Sequence, residues 1–230
     1  MIKYQGIIVY SKKIKDNDLF LKILSKEDQI HTGMVYGGNS SKKKLIYQNG
    51  YFIDYTIVKK NINSPPLINA EISYPYLSNI IDNKYKLNAL LSILSLINIS
   101  ILEGQTIKGF YISVLSIILH IIEKDSWIIF YCEWLFHLLK LIGYQVDYEK
   151  NIIKNNYDLV MQEFISDISH NSINFPHIVF NQKKGLNFKN INSIFIIFES
   201  IFTKNHLDNM NYKMPTTFLE FKKIILKELR

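Results

Sequence analysis

The first 72 residues alternate short apolar runs with polar turns, a pattern typical of β-strands. The runs are Tyr4–Tyr10, Leu19–Leu24, Gln29–Tyr36, Tyr51–Val58 and Leu67–Ile72. The tract before the last run contains Pro65 and Pro66, which have no N–H to donate to a sheet. Five strands in roughly 70 residues match the size of an OB-fold barrel, a fold that commonly binds oligonucleotides.

Long apolar segments replace this pattern after Tyr74-Pro75. Lys84–Leu102, Thr106–Glu123 and Ser126–Ile142 are apolar on more than one face, as expected of helices that pack in a bundle. The sequence therefore predicts an α+β chain. A five-stranded OB-fold barrel occupies residues 1–74, and an α-helical domain occupies residues 75–230.

The C-terminal third has weaker patterns. Leu159–Lys184 matches neither the helix nor the strand period, and a small hairpin is one interpretation of Phe175–Lys184. Helices are predicted over Asn192–Lys204 and Thr216–Leu229. The last helix is expected to begin with a capping box in which Thr217 pairs with Glu220.

Composition adds a basic balance to this fold. The formal net charge is +7, with 27 Lys and Arg against 20 Asp and Glu. Moderate basicity fits a nucleic-acid or anionic-surface partner. Ile, Asn and Lys are abundant, which indicates an AT-rich genome and weakens an argument from charge alone.

Motifs for catalysis and metal binding are missing from the sequence. There is no phosphate loop, no G-x-G-x-x-G, no H-E-x-x-H and no cysteine pair. The single thiol, Cys132, lies in an apolar run and is expected to be buried. His120 and His137 lie in helical segments and are expected to pack there, whereas His170 and His177 would share a site only if the fold joined them. We therefore expect neither an enzyme nor a bound cofactor or metal.

Targeting and membrane segments are not expected either. The N-terminus has no apolar stretch followed by a small-residue cleavage site. The longest charge-free run, Leu87–Leu102, is shorter than the ~20 residues that a membrane-spanning helix needs. The sequence predicts a cytoplasmic protein with no membrane contact.

The candidate site is His31–Lys44, in which an apolar run meets Gly37-Gly38 and a polar turn. Three consecutive lysines, Lys42–Lys44, follow and repel one another unless an anion lies nearby. Paired glycines allow a sharp turn. The pattern indicates a strand that leads into a polyanion-binding loop, and a solvated hairpin tip is the alternative.

Other lysines and several tyrosines extend this candidate site. Tyrosines interleave with the lysines, and one that stacks on a base contributes about 1–3 kcal/mol. We expect most of the tyrosines to line the barrel core and at most one or two to face a nucleic acid. The predicted DNA-binding residues are Lys12, Lys13, Lys15, Tyr36, Asn39, Lys42, Lys43, Lys44, Lys59 and Lys60.

An ordered series of motifs resembles the bacterial DNA-repair RecO family. In the barrel region the matches are Gly6–Val9, Asp16–Ser25, His31–Gly38 and Tyr47–Gly50, the third being similar to the alphaproteobacterial H-A-G-L-V-x-G-G. In the helical region Trp134–Tyr144 is similar to W-E-L-x-L-L-x-x-L-G-[FY].

The resemblance implies a recombination mediator with an OB-fold. Such a protein binds single- and double-stranded DNA, anneals complementary strands and works with RecR in the cytoplasm at the nucleoid. It also engages the acidic C-terminal tail of single-stranded-DNA-binding protein and so helps to load RecA. The family's tail site is an apolar groove on the helical domain with basic edges, for which Lys124 and Lys140 are the candidates here.

Two departures from the family pattern matter. Many members bind a structural zinc through four cysteines, but Val146–Asn155 contains none, so the zinc-finger-like region near residues 145–185 is expected to lack zinc. Tyr36, Asn39 and Ser41 stand where relatives carry basic residues. Two alternatives stay open, an RNA-binding OB-fold protein of translation and a protein-interaction scaffold with weak DNA binding.

Overall fold

Five strands close into a barrel at the N-terminus. The computed structural model describes residues 2–15, 17–59, 61 and 64–230. The strands are β1 (Lys3–Lys13), β2 (Leu19–Ser25), β3 (Ile30–Val35), β4 (Phe52–Val58) and β5 (Leu67–Tyr74). Their order around the barrel is β1-β2-β3-β5-β4, and β4 pairs with β1 to close it. The predicted five-stranded OB-fold barrel is confirmed.

The alternating pattern of each strand explains the barrel core. In β2, Leu19, Leu21 and Ile23 point inward and are buried, whereas Phe20 and Lys22 alternate with them and are partly exposed. The inward side chains of all five strands meet in one cluster that also receives Tyr47 from the β3–β4 loop. The barrel is therefore a filled core and not a channel.

One close approach decides how the barrel closes. β3 and β5 run parallel and meet at Met34 and Leu67. A Cβ atom on Gly33 would lie 2.7 Å from the carbonyl oxygen of Pro66 and 2.8 Å from the Ile68 side chain. Only glycine lets β3 approach the start of β5 this closely.

Helices follow the barrel, as predicted. A 3₁₀ turn (Tyr76–Asn79) precedes α1 (Lys84–Ser100), α2 (Phe110–Glu123) and α3 (Trp127–Leu141). α1 begins at a capping residue, Asn83, whose side chain accepts hydrogen bonds from the backbone N–H groups of Tyr85 and Lys86. α2 starts later than the sequence pattern indicates, because residues 101–109 form an irregular connection.

The C-terminal region combines short strands with helices. Its elements are β6 (Asn156–Asp158), β7 (Glu163–Ile165), β8 (Ser172–Asn174), α4 (His177–Gln182), α5 (Phe188–Phe202), a π-helical turn (Thr203–Leu207), α6 (Asp208–Met210) and α7 (Thr216–Glu228). The three strands form a small antiparallel sheet in the order β7-β6-β8. α3, α5 and α7 pack through buried aromatic rings, with Tyr131 and Phe221 centroids 4.5 Å apart.

Two local predictions are wrong in this region. Phe175–Lys184 contains α4 and not a hairpin, because Pro176 supplies no N–H for a ladder and instead precedes the helix as its N-cap residue. The capping box of Thr217 and Glu220 does not form either. α7 already begins at Thr216, and its N-cap is Pro215, which has no side-chain acceptor.

The chain divides into two compact units, residues 1–118 and 119–230. β5 ends at Tyr74, where the sequence predicts the change from barrel to helices. The first unit nevertheless includes α1 and the start of α2 with the barrel. The assignment of separate domains at residues 74 and 75 stays a prediction.

Candidate nucleic-acid interface

Three loops with lysines meet around the C-terminal end of β3. The backbone N–H of Gly37 donates to the Asp18 carboxylate (2.8 Å), which joins the β3–β4 loop to the β1–β2 turn. The N–H of Asn39 donates to the carbonyl of Asn17 (2.7 Å) in the same turn. On the other side, the N–H of Met34 donates to the carbonyl of Pro66 (2.8 Å) at the end of the β4–β5 loop.

This junction brings the predicted lysine clusters to one end of the barrel. Lys12 and Lys13 end β1, Lys15 lies in the β1–β2 turn, and Lys59 follows Val58, which pairs with Leu67 opposite Met34. The members of these clusters that the structure describes are exposed to solvent. The set consists of Lys12, Lys13, Lys15, Lys42, Lys43, Lys44 and Lys59. Lys60, also predicted as a DNA contact, and Asp16 lie outside the described residues.

The β3–β4 loop holds its lysines on a defined backbone. Gly37 takes a positive φ of 63°, which turns the chain after β3. The N–H groups of Lys43 and Lys44 both donate to the Ser40 carbonyl (3.1 and 2.9 Å), and Tyr47 anchors the far side in the barrel core. Lys42–Lys44 therefore extend from a folded turn with fixed ends.

The tyrosines behave as expected for a barrel. Tyr47 and Tyr55 are buried in the core, at 5 % and 1 % exposure. Tyr36 is 56 % exposed beside the lysines, and its carbonyl accepts a hydrogen bond from Lys43 (3.3 Å). Asn39 is half-buried, and its backbone is used in the contact with the β1–β2 turn. Among these residues, Tyr36 is placed best for stacking on a base.

Cross-strand pairing defines an outer face that the sequence reasoning missed. Lys12, Phe20 and Met34 form one row across β1, β2 and β3, and Tyr10, Lys22 and Thr32 form the next. Residues directly opposite each other project on the same side of a sheet. We call these six residues the outer face. In the sequence, the alternation of apolar Leu19, Leu21 and Ile23 with Phe20 and Lys22 already indicates that Phe20 and Lys22 lie on the outer side of β2.

The outer face presents a cation next to apolar and aromatic groups. Burial lowers the pKa of Lys22, and the nearby Glu103 carboxylate opposes this shift. On the inner side of β3, Nδ1 of His31 lies 2.7 Å from the Tyr55 hydroxyl, and burial lowers its pKa. A phosphate beside Lys22 would stabilise the ammonium, whereas the half-buried His31 lies on the opposite side of the sheet.

The candidate tail-binding lysines belong to the second unit. Lys124 follows α2, and Lys140 lies in the last turn of α3, so roughly 20 Å of helix separates them. Lys140 borders a cavity of about 200 Å³ that is also lined by Phe136, His137 and Tyr148. Burial lowers the pKa of His137, and the neighbouring Lys140 adds to this effect. Lys124 is not part of this cavity's lining.

The expected packing of Cys132 and His120 is found in the structure. Cys132 is fully buried, and burial raises its pKa. His120 stacks on Phe130 with centroids 4.2 Å apart, so it packs as predicted. The described residues contain no group of three or more His, Cys, Asp or Glu side chains placed to hold a metal ion. In the same part of the chain, no helix is long and apolar enough to cross a bilayer.

Comparison with known proteins gives one consistent family. No family model matches the chain. It is 30 % identical over 154 residues to the DNA repair protein RecO of Rickettsia canadensis (strain McKiel), which covers 67 % of this chain and 63 % of that protein. The RecO proteins of Rickettsia bellii (strain OSU 85-389) and Rickettsia akari (strain Hartford) are 29 % identical over 154 and 149 residues. The chain spans less than two thirds of the length of these relatives.

Proposed function

Because this chain belongs to the RecO family of DNA repair proteins, we propose that it acts in DNA repair by binding and annealing DNA at the lysine-rich end of its barrel. The observation that carries the proposal is the meeting of three basic loops at the end of β3. Their described lysines are exposed. Hydrogen bonds join the β1–β2 turn to the β3–β4 loop, and another bond joins the β4–β5 loop to Met34 at the end of β3. A cationic surface of this kind favours a polyanion over a neutral ligand.

Annealing follows from charge screening and needs no covalent chemistry. Two complementary strands repel each other through their phosphates, and lysines that neutralise phosphates release condensed counterions. Exposed Tyr36 and half-exposed Phe20 offer ring faces on which bases of either strand can stack without sequence preference. The protein therefore acts as a non-enzymatic mediator that holds single strands close enough to pair.

A direct test compares binding and annealing of complementary oligonucleotides. The variant Lys42→Glu, Lys43→Glu, Lys44→Glu is expected to weaken single-strand binding by at least about tenfold at low salt. The plot of log K against log salt is also expected to become shallower, its slope decreasing in magnitude by about 2. Each phosphate contact on a single strand contributes about 0.7 to that slope, and three contacts are lost. Fluorescence anisotropy measures both quantities.

The matched control carries the same charge change elsewhere. Lys213, Lys223 and Lys227 are exposed near the C-terminus, and their change to Glu is expected to leave affinity nearly unaltered. If wild-type protein neither binds nor anneals DNA at low salt, the proposed function is wrong. If the Lys42–Lys44 variant binds like the control, the assigned site is wrong. An RNA oligonucleotide that binds more tightly than DNA of the same sequence would favour the RNA-binding alternative.

Partner binding forms the second half of the proposal. Family membership supports cooperation with RecR, loading of RecA at DNA coated with single-stranded-DNA-binding protein, and hence work at the nucleoid. The cavity beside Lys140 offers that protein's acidic C-terminal tail two lysines, Lys140 and Lys150, and the apolar ring of Phe136. Its lining also contains Glu133, Asp147 and Glu149, so the tail would have to approach from the side of the lysines. A fluorescent tail peptide is expected to lose affinity on Lys140→Glu and to keep it on Lys124→Glu. If Lys124→Glu weakens binding of the peptide and Lys140→Glu does not, the tail site lies at the other end of α3.

A further inference from the structure

The connection between α1 and α2 is fastened to the β2–β3 side of the barrel. The Asp28 carboxylate accepts hydrogen bonds from the backbone N–H groups of Gly109 (2.7 Å) and Tyr111 (2.8 Å). The Gln29 side chain donates to the Thr106 hydroxyl (3.0 Å), and the two residues also form an isolated β-bridge. These contacts fix residues 101–109 against the N-terminal end of β3.

This attachment places a carboxylate at the edge of the outer face. The Thr32 hydroxyl donates to Oε1 of Glu103 (2.7 Å). Thr32 is directly opposite Lys22 in the pairing of β2 with β3. The Glu103 charge acts on Lys22, where it opposes the effect of burial on the pKa of the ammonium.

The position of Glu103 along β3 is also informative. The basic loops surround the C-terminal end of β3, beyond Met34, whereas Thr32 is two residues nearer its start. Two residues of a strand span roughly 7 Å. A nucleic acid that extends from the basic loops across Phe20 and Met34 therefore meets Glu103 as soon as it reaches the second row.

We propose that Glu103 limits the nucleic-acid path on the barrel by holding its carboxylate where a phosphate would otherwise contact Lys22. Glu103 acts on the Lys22 charge and repels the phosphate that follows the first row. The strand is confined to the basic loops and to the row formed by Lys12, Phe20 and Met34. The inference rests on the proposed DNA binding and adds a residue that determines site size and affinity.

Charge removal at Glu103 tests the proposal. Glu103→Gln is nearly isosteric and can still accept the Thr32 hydrogen bond, so it changes charge with little change in shape. It is expected to tighten single-strand binding three- to tenfold at low salt and to steepen the salt slope by about 0.7, the contribution of one more phosphate contact. The matched control is Glu71→Gln, an exposed carboxylate on β5 opposite Asp54, away from the outer face. It is expected to change affinity less than twofold.

A double-mutant cycle shows whether the effect passes through Lys22. Lys22→Gln alone is expected to alter affinity little, because Glu103 already keeps a phosphate from contacting Lys22. In that background, Glu103→Gln is expected to lose most of its gain. Thr32→Val, which frees the Glu103 side chain, is expected to give an intermediate gain.

The outcomes separate this inference from the proposed function. If wild type binds no DNA at low salt, the proposed function fails. If wild type binds and Glu103→Gln matches Glu71→Gln, Glu103 does not limit the path. If Glu103→Gln gains equally with and without Lys22, the carboxylate acts only through general repulsion and the assigned pair is wrong. Thermal melting of each variant verifies that the comparison concerns folded protein.

Discussion

Replacing Asp28 by alanine tests how the barrel fixes the start of α2. Asp28 lies in the β2–β3 turn, and both of its carboxylate oxygens accept backbone hydrogen bonds, from Gly109 and Tyr111. The first N–H groups of a helix lack intrahelical partners, and a negative charge near them is favourable. A capping side chain typically contributes about 1 kcal/mol, and hydrogen bonds to charged groups contribute about 1.5–3 kcal/mol.

The expected magnitude follows from these two bonds. Asp28 is half-buried, so water replaces its hydrogen bonds only in part when the side chain is removed. We expect Asp28→Ala to lower the free energy of unfolding by about 2–3 kcal/mol. At roughly 2–4 °C per kcal/mol for a chain of this size, the melting temperature falls by about 4–12 °C.

The backbone conformation of Asp28 predicts that alanine at this position destabilises the protein more than asparagine does. Asp28 has a φ of 63°, in the left-handed region that Asp and Asn tolerate better than Ala. Asp28→Asn keeps this tolerance and one acceptor oxygen, so its loss is expected to be about half that of Asp28→Ala. Hydrogen exchange at the Gly109 and Tyr111 amides is expected to accelerate in both variants.

Urea unfolding followed by circular dichroism measures the free energies, with exposed Asp82→Ala as the control. An Asp28→Ala variant within about 0.5 kcal/mol of wild type, the range of ordinary surface substitutions, would refute the reasoning. Unchanged amide exchange at Gly109 would refute it independently, because the turn would then not hold the connection.

Four further predictions concern stability and reactivity. Gly33→Ala is expected to cost about 1–3 kcal/mol of unfolding free energy, because the new Cβ would overlap the β4–β5 loop carbonyl 2.7 Å away. The pKa of His31 is lowered by burial, so the unfolded chain binds more protons and stability falls as pH drops below about 6.5. His31→Gln is expected to flatten that pH dependence in urea titrations. Phe175→Ala, which removes a ring that is 2 % exposed, is expected to lower the free energy of unfolding by about 3–5 kcal/mol. A metal chelator, in contrast, is expected to leave the melting temperature of wild type unchanged. A thiol reagent is expected to label Cys132, buried completely with a raised pKa, only at the rate of unfolding.

Local patterns were sufficient for the larger elements because each carries its own periodicity. The strand β2 shows alternation of apolar and polar residues, and α1 lies in a long apolar segment. The strands β6, β7 and β8 have three residues each, fewer than two periods of any pattern. The sequence pattern therefore does not predict them, and the hairpin that it indicates at Phe175–Lys184 is found earlier in the chain.

The candidate site depended on information that no local pattern contains. The β3–β4 and β4–β5 loops, which carry lysines of this site, both lie at the end of β3 only because β3 and β5 are parallel neighbours with Met34 beside Leu67. Glu103 reaches the outer face only because Asp28 and Gln29 bind a connection more than 70 residues away in sequence. The lysines in the sequence indicate an anionic partner. Only the long-range pairing of β3 with β5 indicates which of these lysines belong to the same candidate site.

The region near residues 145–185 has to be held together by other means if it carries no zinc. One carboxylate oxygen of Asp158 accepts hydrogen bonds from the N–H groups of Val160 and Met161 (2.9 Å each), and the other accepts from the Ser169 hydroxyl (2.8 Å). The Met161 and Ser169 bonds keep the pKa of Asp158 below its usual value. The Asp158 carboxylate thus joins the β6–β7 turn, which contains Val160 and Met161, to the β7–β8 loop, which contains Ser169. In the same region the ring of Phe175 lies 4.9 Å from Phe164 and 5.2 Å from Phe180, measured between centroids. A metal would join loops through shared ligands, and here a carboxylate that accepts hydrogen bonds from three donors joins them without any cysteine.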